Sequence, residues 1–137
     1  MQVREGMSSV VLTVGPSHTL RDAARSMARR GVGAAVVIDP EQPGPGIITE
    51  RDILLALAEG QDPDSEQVGD HLSENLTFAA PDWSLERAAD AMVRGGFRHL
   101  VVVDGGETVG VLSMRDIVRC WTDAGATTPV ETARSKA

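Results

Sequence analysis

Gly46-Ile47-Ile48-Thr49-Glu50-Arg51-Asp52-Ile53 returns later in the chain as Gly110-Val111-Leu112-Ser113-Met114-Arg115-Asp116-Ile117. Each copy joins a short β-branched run to a hydroxyl residue with an acid three places on, the pattern of a strand that turns directly into a capped helix. A recurrence of this kind sets the architecture before any single residue is interpreted. Reading backward from it, Val3 to Asp39 aligns with Val68 to Asp104 without a gap. Ser8 then pairs with Ser73, Pro16 with Pro81, Leu20 with Leu85, Met27 with Met92, Gly31 with Gly96 and Val36-Val37 with Val101-Val102.

Each copy carries the same order of elements. An extended segment (Val10 to Val14; Leu76 to Ala79) precedes a helix from Thr19 or Ser84, with apolar residues at i, i+3, i+4 and i+7. That helix is expected to stop at Gly31 or Gly96, where a left-handed residue costs a glycine nothing. Two β-branched runs follow, Ala34 to Ile38 with Gly46 to Ile48, and His99 to Val103 with Thr108 to Leu112. The Gly, Pro and acidic residues between them read as hairpin loops, and a second helix begins at Thr49 or Ser113. The fold class is therefore α+β, two β-α-β-β-α units. We divide the chain into a first repeat at 1–60, a linker with a short helical lead-in at 61–72, a second repeat at 73–122 and a frayed tail at 123–137.

A unit of this size, with one apolar sheet face and two amphipathic helices, buries too little surface alone. Two units packed sheet against sheet remove that difficulty, and 137 residues leave no room for two independent enzymes. Aromatic residues make up only 3%, so the core must be aliphatic. The net charge of −7 repels phosphate backbones and acidic lipid, which disfavours non-specific nucleic-acid binding. Cys120 is the single cysteine, which excludes an internal disulfide and suits a reducing compartment. No metal-ligand spacing, nucleophile elbow or Walker loop is visible, and no apolar run reaches the ~18 residues of a membrane span. These features together read as a cytoplasmic protein without catalytic machinery, metal or membrane contact.

The strand ends Ala35-Val36-Val37-Ile38-Asp39 and Leu100-Val101-Val102-Val103-Asp104, each followed by Gly-x-x-Thr/Ser-x-x-Asp, resemble a tandem pair of CBS domains, a Bateman module. The resemblance covers Val3 to Trp121. It implies two repeats packed about a pseudo-twofold axis, two clefts for adenosine-containing ligands, and a homodimer or an unidentified regulated protein as partner. It implies no cofactor beyond the nucleotide as regulatory ligand. The first cleft would join Thr49 and Asp52 to Leu76, Thr77, Phe78, Phe97, Arg98 and His99, with Arg115 reaching in. The second would join Ser113 and Asp116 to Leu12, Thr13, Val32, Gly33 and Ala34, with Arg51 as its base.

The chemistry can be argued alongside the resemblance. A carboxylate one turn into a helix accepts two hydrogen bonds from a ribose diol, and a helix N-terminus offers N–H groups and a positive dipole end to phosphate. The same spacing is also that of a capping box, in which the acid only satisfies its own helix; Thr19-x-x-Asp22 has it too. Three functions stay open on these residues: an AMP-, ADP- or ATP-type sensor, a ligand-free structural or protein-interaction module, and, against the charge, a nucleic-acid binder.

Overall fold

Local chemistry accounts for most of the element boundaries in the computed structural model, which describes residues 1–74 and 76–124. A one-turn helix α1 (Val3–Gly6) leads into strand β1 (Thr13–Val14), helix α2 (Leu20–Arg30), strands β2 (Ala34–Val37) and β3 (Gly46–Thr49), and helix α3 (Glu50–Ala58). A 3-10 turn (Val68–Asp70) then opens the second copy, with β4 (Phe78–Ala79), α4 (Leu85–Gly95), β5 (His99–Asp104), β6 (Glu107–Ser113) and α5 (Met114–Asp123). Thr19 and Ser84 cap α2 and α4, accepting the N–H of Asp22 and of Arg87 at 3.1 Å. Gly31 and Gly96 close the same helices with φ of 66° and 72°, a left-handed conformation that a side chain would strain. The tail expected to fray lies, from residue 125 on, outside the described residues.

Each copy forms a three-stranded sheet, β1-β2-β3 or β4-β5-β6, with a parallel first pair and an antiparallel second pair. The first strands are shorter than the expected Val10 to Val14 and Leu76 to Ala79. Only Thr13 and Val14 stand in register with Val36 and Val37, and only Phe78 and Ala79 with Val101 and Val102. β2 likewise ends one residue before Ile38, which is exposed.

Side-chain alternation along the strands builds three cores. Ala35, Val37 and Ile48 point back onto α2 and α3, and Leu100, Val102 and Leu112 onto α4 and α5. The intervening residues Ala34, Val36, Ile47 and Val101 form a third cluster, walled by Val11, Leu76, Val103 and Val111, that joins the two repeats. The repeats thus pack sheet to sheet about a pseudo-twofold axis, and β2, apolar throughout, is buried on both faces.

The two lead-ins are exchanged between repeats. Val3, fully buried, packs in the core of the second repeat, where the Val3 and Arg4 N–H groups donate to the carbonyls of Trp83 and Pro81. Val68, also fully buried, packs in the core of the first, donating its N–H to His18 O at 2.8 Å. Ser8 pairs with Val111, and Ser73 N donates to Ile47 O, so each lead-in runs along the other repeat's last strand. Neither repeat has a complete core of its own.

Candidate functional site

At the junction of β3 and α3 the chain leaves the sheet at Thr49, the N-cap, and Asp52 folds back over it. Asp52 Oδ2 accepts the Thr49 N–H at 2.8 Å and the Thr49 hydroxyl at 2.9 Å. The Ser73 hydroxyl, delivered by the second repeat's lead-in, donates to the same oxygen at 2.5 Å. Asp52 Oδ1 has no protein partner among the described residues. One oxygen is therefore anchored by three donors while the other keeps its acceptor capacity for a hydroxyl donor.

Asp116 is built on the same plan and ends differently. Its Oδ2 accepts the Ser113 N–H at 2.8 Å, but Oδ1 is paired with Arg119 Nη2 at 3.0 Å. Arg119 also donates to the Gly6 carbonyl at 3.4 Å and so ties α5 to the docked α1. Ser8, the counterpart of Ser73, turns its hydroxyl to its own backbone at Val10 O instead. Sequence reasoning missed Ser73 and Arg119; the pairing of Ser8 with Ser73 in the repeat was the available signal for the former.

The expectation of free N–H groups at the starts of α3 and α5 is corrected by the structure. Glu50 N donates to Gly33 O and Met114 N to Arg98 O, both at 2.9 Å. The Asp52 and Asp116 N–H groups go to the Thr49 and Ser113 hydroxyls. The capping boxes are real, and of each first turn only the Arg51 or Arg115 N–H is left to offer an anion. A phosphate held here would depend on side chains more than on the helix ends.

Two bonds bring the first repeat's Asp52 to the wall expected of the second repeat. The first is Ser73 to Asp52; the second runs from Arg51 Nη1 to the Gly96 carbonyl at 3.2 Å, beside Phe97, Arg98 and His99. Arg51, expected at the second cleft, thus lies along the wall of the first, because α3 faces the end of α4. Arg115 and Arg98 are exposed and make no side-chain hydrogen bond or ion pair among the described residues. Leu76 and Thr77 are half-buried, Leu76 within the inter-sheet cluster; Phe97 packs on the second core, and Phe78 is exposed on β4.

On the other side, Leu12 packs on the first core, Val32 is exposed and Ala34 is buried between the sheets. Gly33 touches both sides of the junction. A side-chain carbon placed there would stand 3.1 Å from the Glu50 carboxylate and 3.4 Å from His99 Cε1. Burial pushes the His99 imidazole below its ordinary pKa; Glu50, Asp116 and Asp52 oppose that shift and Arg98 adds to it. Glu50 carried no signal in the sequence, since a first-turn acid is commonplace.

A depression of about 570 Å³ lies elsewhere, at the hairpin ends of the sheets, lined among others by Thr13, Val36, Ile38, Asp39, Glu107 and Thr108. Thr13, expected in the second cleft, opens onto it because its register partner is Val36, toward the hairpin. Its acidic rim does not suit a phosphate. Among the described residues no cluster of His, Cys, Asp and Glu could hold a metal ion, and no helix is long and apolar enough to cross a membrane.

The CBS domain family profile matches residues 2–59 and 68–123. A CBS domain-containing protein of Arabidopsis thaliana is 38% identical over 117 residues, which is 85% of this chain and 20% of that protein. The chain spans 81% of the length of a CBS domain-containing protein of Bacillus subtilis, to which it is 34% identical over 116 residues. Among solved structures, a CBS domain protein from Pyrobaculum aerophilum complexed with AMP superposes with a TM-score of 0.75 at 31% identity, covering 85% of this chain and 89% of that one. The hexameric CBS-CP12 protein of bloom-forming cyanobacteria gives a TM-score of 0.81 at 26% identity, over 99% and 83% of the two chains.

Proposed function

Because the chain belongs to the CBS domain family, we propose that it is a non-catalytic regulatory module that binds an adenine nucleotide of the AMP, ADP or ATP type between its repeats. The observation that carries this reading is the state of Asp52: Oδ2 is anchored by Thr49 and Ser73, and Oδ1 is left to accept from a ribose. The base would lie against Leu76, Thr77, Phe78 and Phe97, and the phosphate end would meet Arg98, His99 and Arg115. The Pyrobaculum neighbour, complexed with AMP, supports a ligand of this class. Asp116, already paired with Arg119, makes the second cleft the weaker site.

The signal would pass on through a dimer or a regulated partner. Leu54, Leu55 and Leu57 on α3 and Val118 and Trp121 on α5 are exposed large apolar residues, which fits self-association through the outer helices. Sedimentation equilibrium of the purified chain tests this, and a monomer at all concentrations would remove it.

A ligand-free interaction module is the second reading, favoured by the satisfied helix N-termini. Calorimetric titration with AMP, ADP, ATP, S-adenosylmethionine and NAD, paired with thermal denaturation, separates the two. A bound nucleotide at about 100 times its Kd adds about 2.7 kcal/mol to stability. No heat and no stabilisation with any of the five would leave the interaction module standing.

A further inference from the structure

We propose that Glu50 and His99, brought from the two repeats to either side of Gly33, act as a proton-sensitive selector, so that a phosphate-bearing nucleotide is taken up together with a proton. The proposal rests on the nucleotide reading above and adds to it the regulation of that site. Its geometric basis is the bare α-carbon of Gly33. The Glu50 carboxylate, from the start of α3, and the His99 ring, from the start of β5, both lie within 3.4 Å of the point where a side-chain carbon would stand. In the second repeat the counterparts of Gly33, Ala34 and Glu50 are Arg98, His99 and Met114, so the repeat symmetry supplies this acid–imidazole approach at one place and not at two.

The charged groups that face the His99 ring are Glu50 and Asp52 from α3, Asp116 from α5, and Arg98 beside it in the chain. Three carboxylates are set against one guanidinium. Burial outweighs the carboxylates and keeps the free imidazole neutral at neutral pH. A phosphate entering beside Arg98 adds a further anion to the three carboxylates that already act on the His99 ring. A proton taken from solvent onto the His99 ring places an imidazolium between the phosphate and Glu50, where both anions stabilise it. Adenosine brings no such anion and gives the proton no reason to bind.

Linkage sets the sign and the size. Between the pKa of His99 in the free protein and its higher value in the complex, AMP affinity gains up to about tenfold for each unit that pH falls. The phosphate's own second ionisation, near pH 6, works in the opposite direction by removing ligand charge as pH falls.

The experiment is calorimetric titration of the full chain with AMP and with adenosine between pH 5.5 and 8, in buffers of differing ionisation heat, for the unmutated protein, His99→Gln and Glu50→Gln. In parallel, the His99 Cε1 proton of the unmutated chain is followed by NMR with and without AMP, which needs no variant to fold. Expected are net proton uptake with AMP and none with adenosine, loss of the uptake in His99→Gln, an upward move of the His99 midpoint on adding AMP, and a downward move of the free midpoint in Glu50→Gln. Binding of AMP with an unmoved His99 midpoint, or with the same uptake in a folded His99→Gln, overturns the selector and leaves the nucleotide site intact. If neither ligand binds at any pH, the nucleotide reading fails and the selector fails with it.

Discussion

Replacing Asp52 by Ala removes one carboxylate with two tasks, and the structure lets their sizes be separated. In the free protein its Oδ2 holds the Thr49 N–H, the Thr49 hydroxyl and the Ser73 hydroxyl. Losing the box opens the start of α3, at a cost of about 1 kcal/mol by analogy with other helix caps. Thr49 and Ser73 are only half-buried, so water can take over part of what is lost. The domain should therefore remain folded. In the complex the missing group is the acceptor of the ribose hydroxyls, and a hydrogen bond to a charged acceptor contributes roughly 1.5 to 3 kcal/mol. That corresponds to an AMP Kd weakened by about tenfold to about a hundredfold. Asp116→Ala should cost less, because Oδ1 of Asp116 is already committed to Arg119. Calorimetric titration of both variants, each checked by urea denaturation, measures the difference. An unchanged AMP Kd in a folded Asp52→Ala, or a larger loss in Asp116→Ala, would refute the reasoning.

Truncation after Ser65 takes away Val68, Leu72 and the whole second sheet, leaving Val36 and Ile47 exposed; the fragment should bind a hydrophobic dye and show no cooperative thermal transition. Val3→Ala, which deletes two methyl groups from a fully buried site, should lower stability by about 2 kcal/mol in urea denaturation although Val3 lies far from the second repeat in sequence. Arg98→Ala should weaken AMP and leave adenosine untouched; equal losses in calorimetry would place Arg98 at the base or in the fold. The depressed pKa of His99 means the unfolded chain protonates first. The unliganded protein should thus lose stability as pH falls below about 6.5, a slope that His99→Gln should flatten in denaturation curves taken from pH 7.5 to 5.

What could be read along the chain was what local chemistry decides. The repeat shows as the likeness of Val3–Asp39 to Val68–Asp104, and the caps at Thr19, Thr49, Ser84 and Ser113 and the left-handed stops at Gly31 and Gly96 follow from residues within four places of one another, whereas the burial of β2 on both faces, against the one apolar sheet face expected, came only with the fold. The acids three residues into α3 and α5 were visible too, but their capping and binding roles share one spacing, so the sequence alone left both open. Tertiary structure supplied the difference between them: Ser73 closes on Asp52 across 21 residues, whereas Arg119 takes the free oxygen of Asp116. Only folding could bring Gly6 to Arg119, 113 positions apart, or send Val3 and Val68 into each other's repeats. The approach of Glu50 and His99 to Gly33 from the two repeats is of the same kind. A capping box is a property of one turn of chain, written in the order of its residues. A junction between two sheets depends on how the sheets are laid together, and the fit of their apolar faces, not any motif, determines which charges then come face to face.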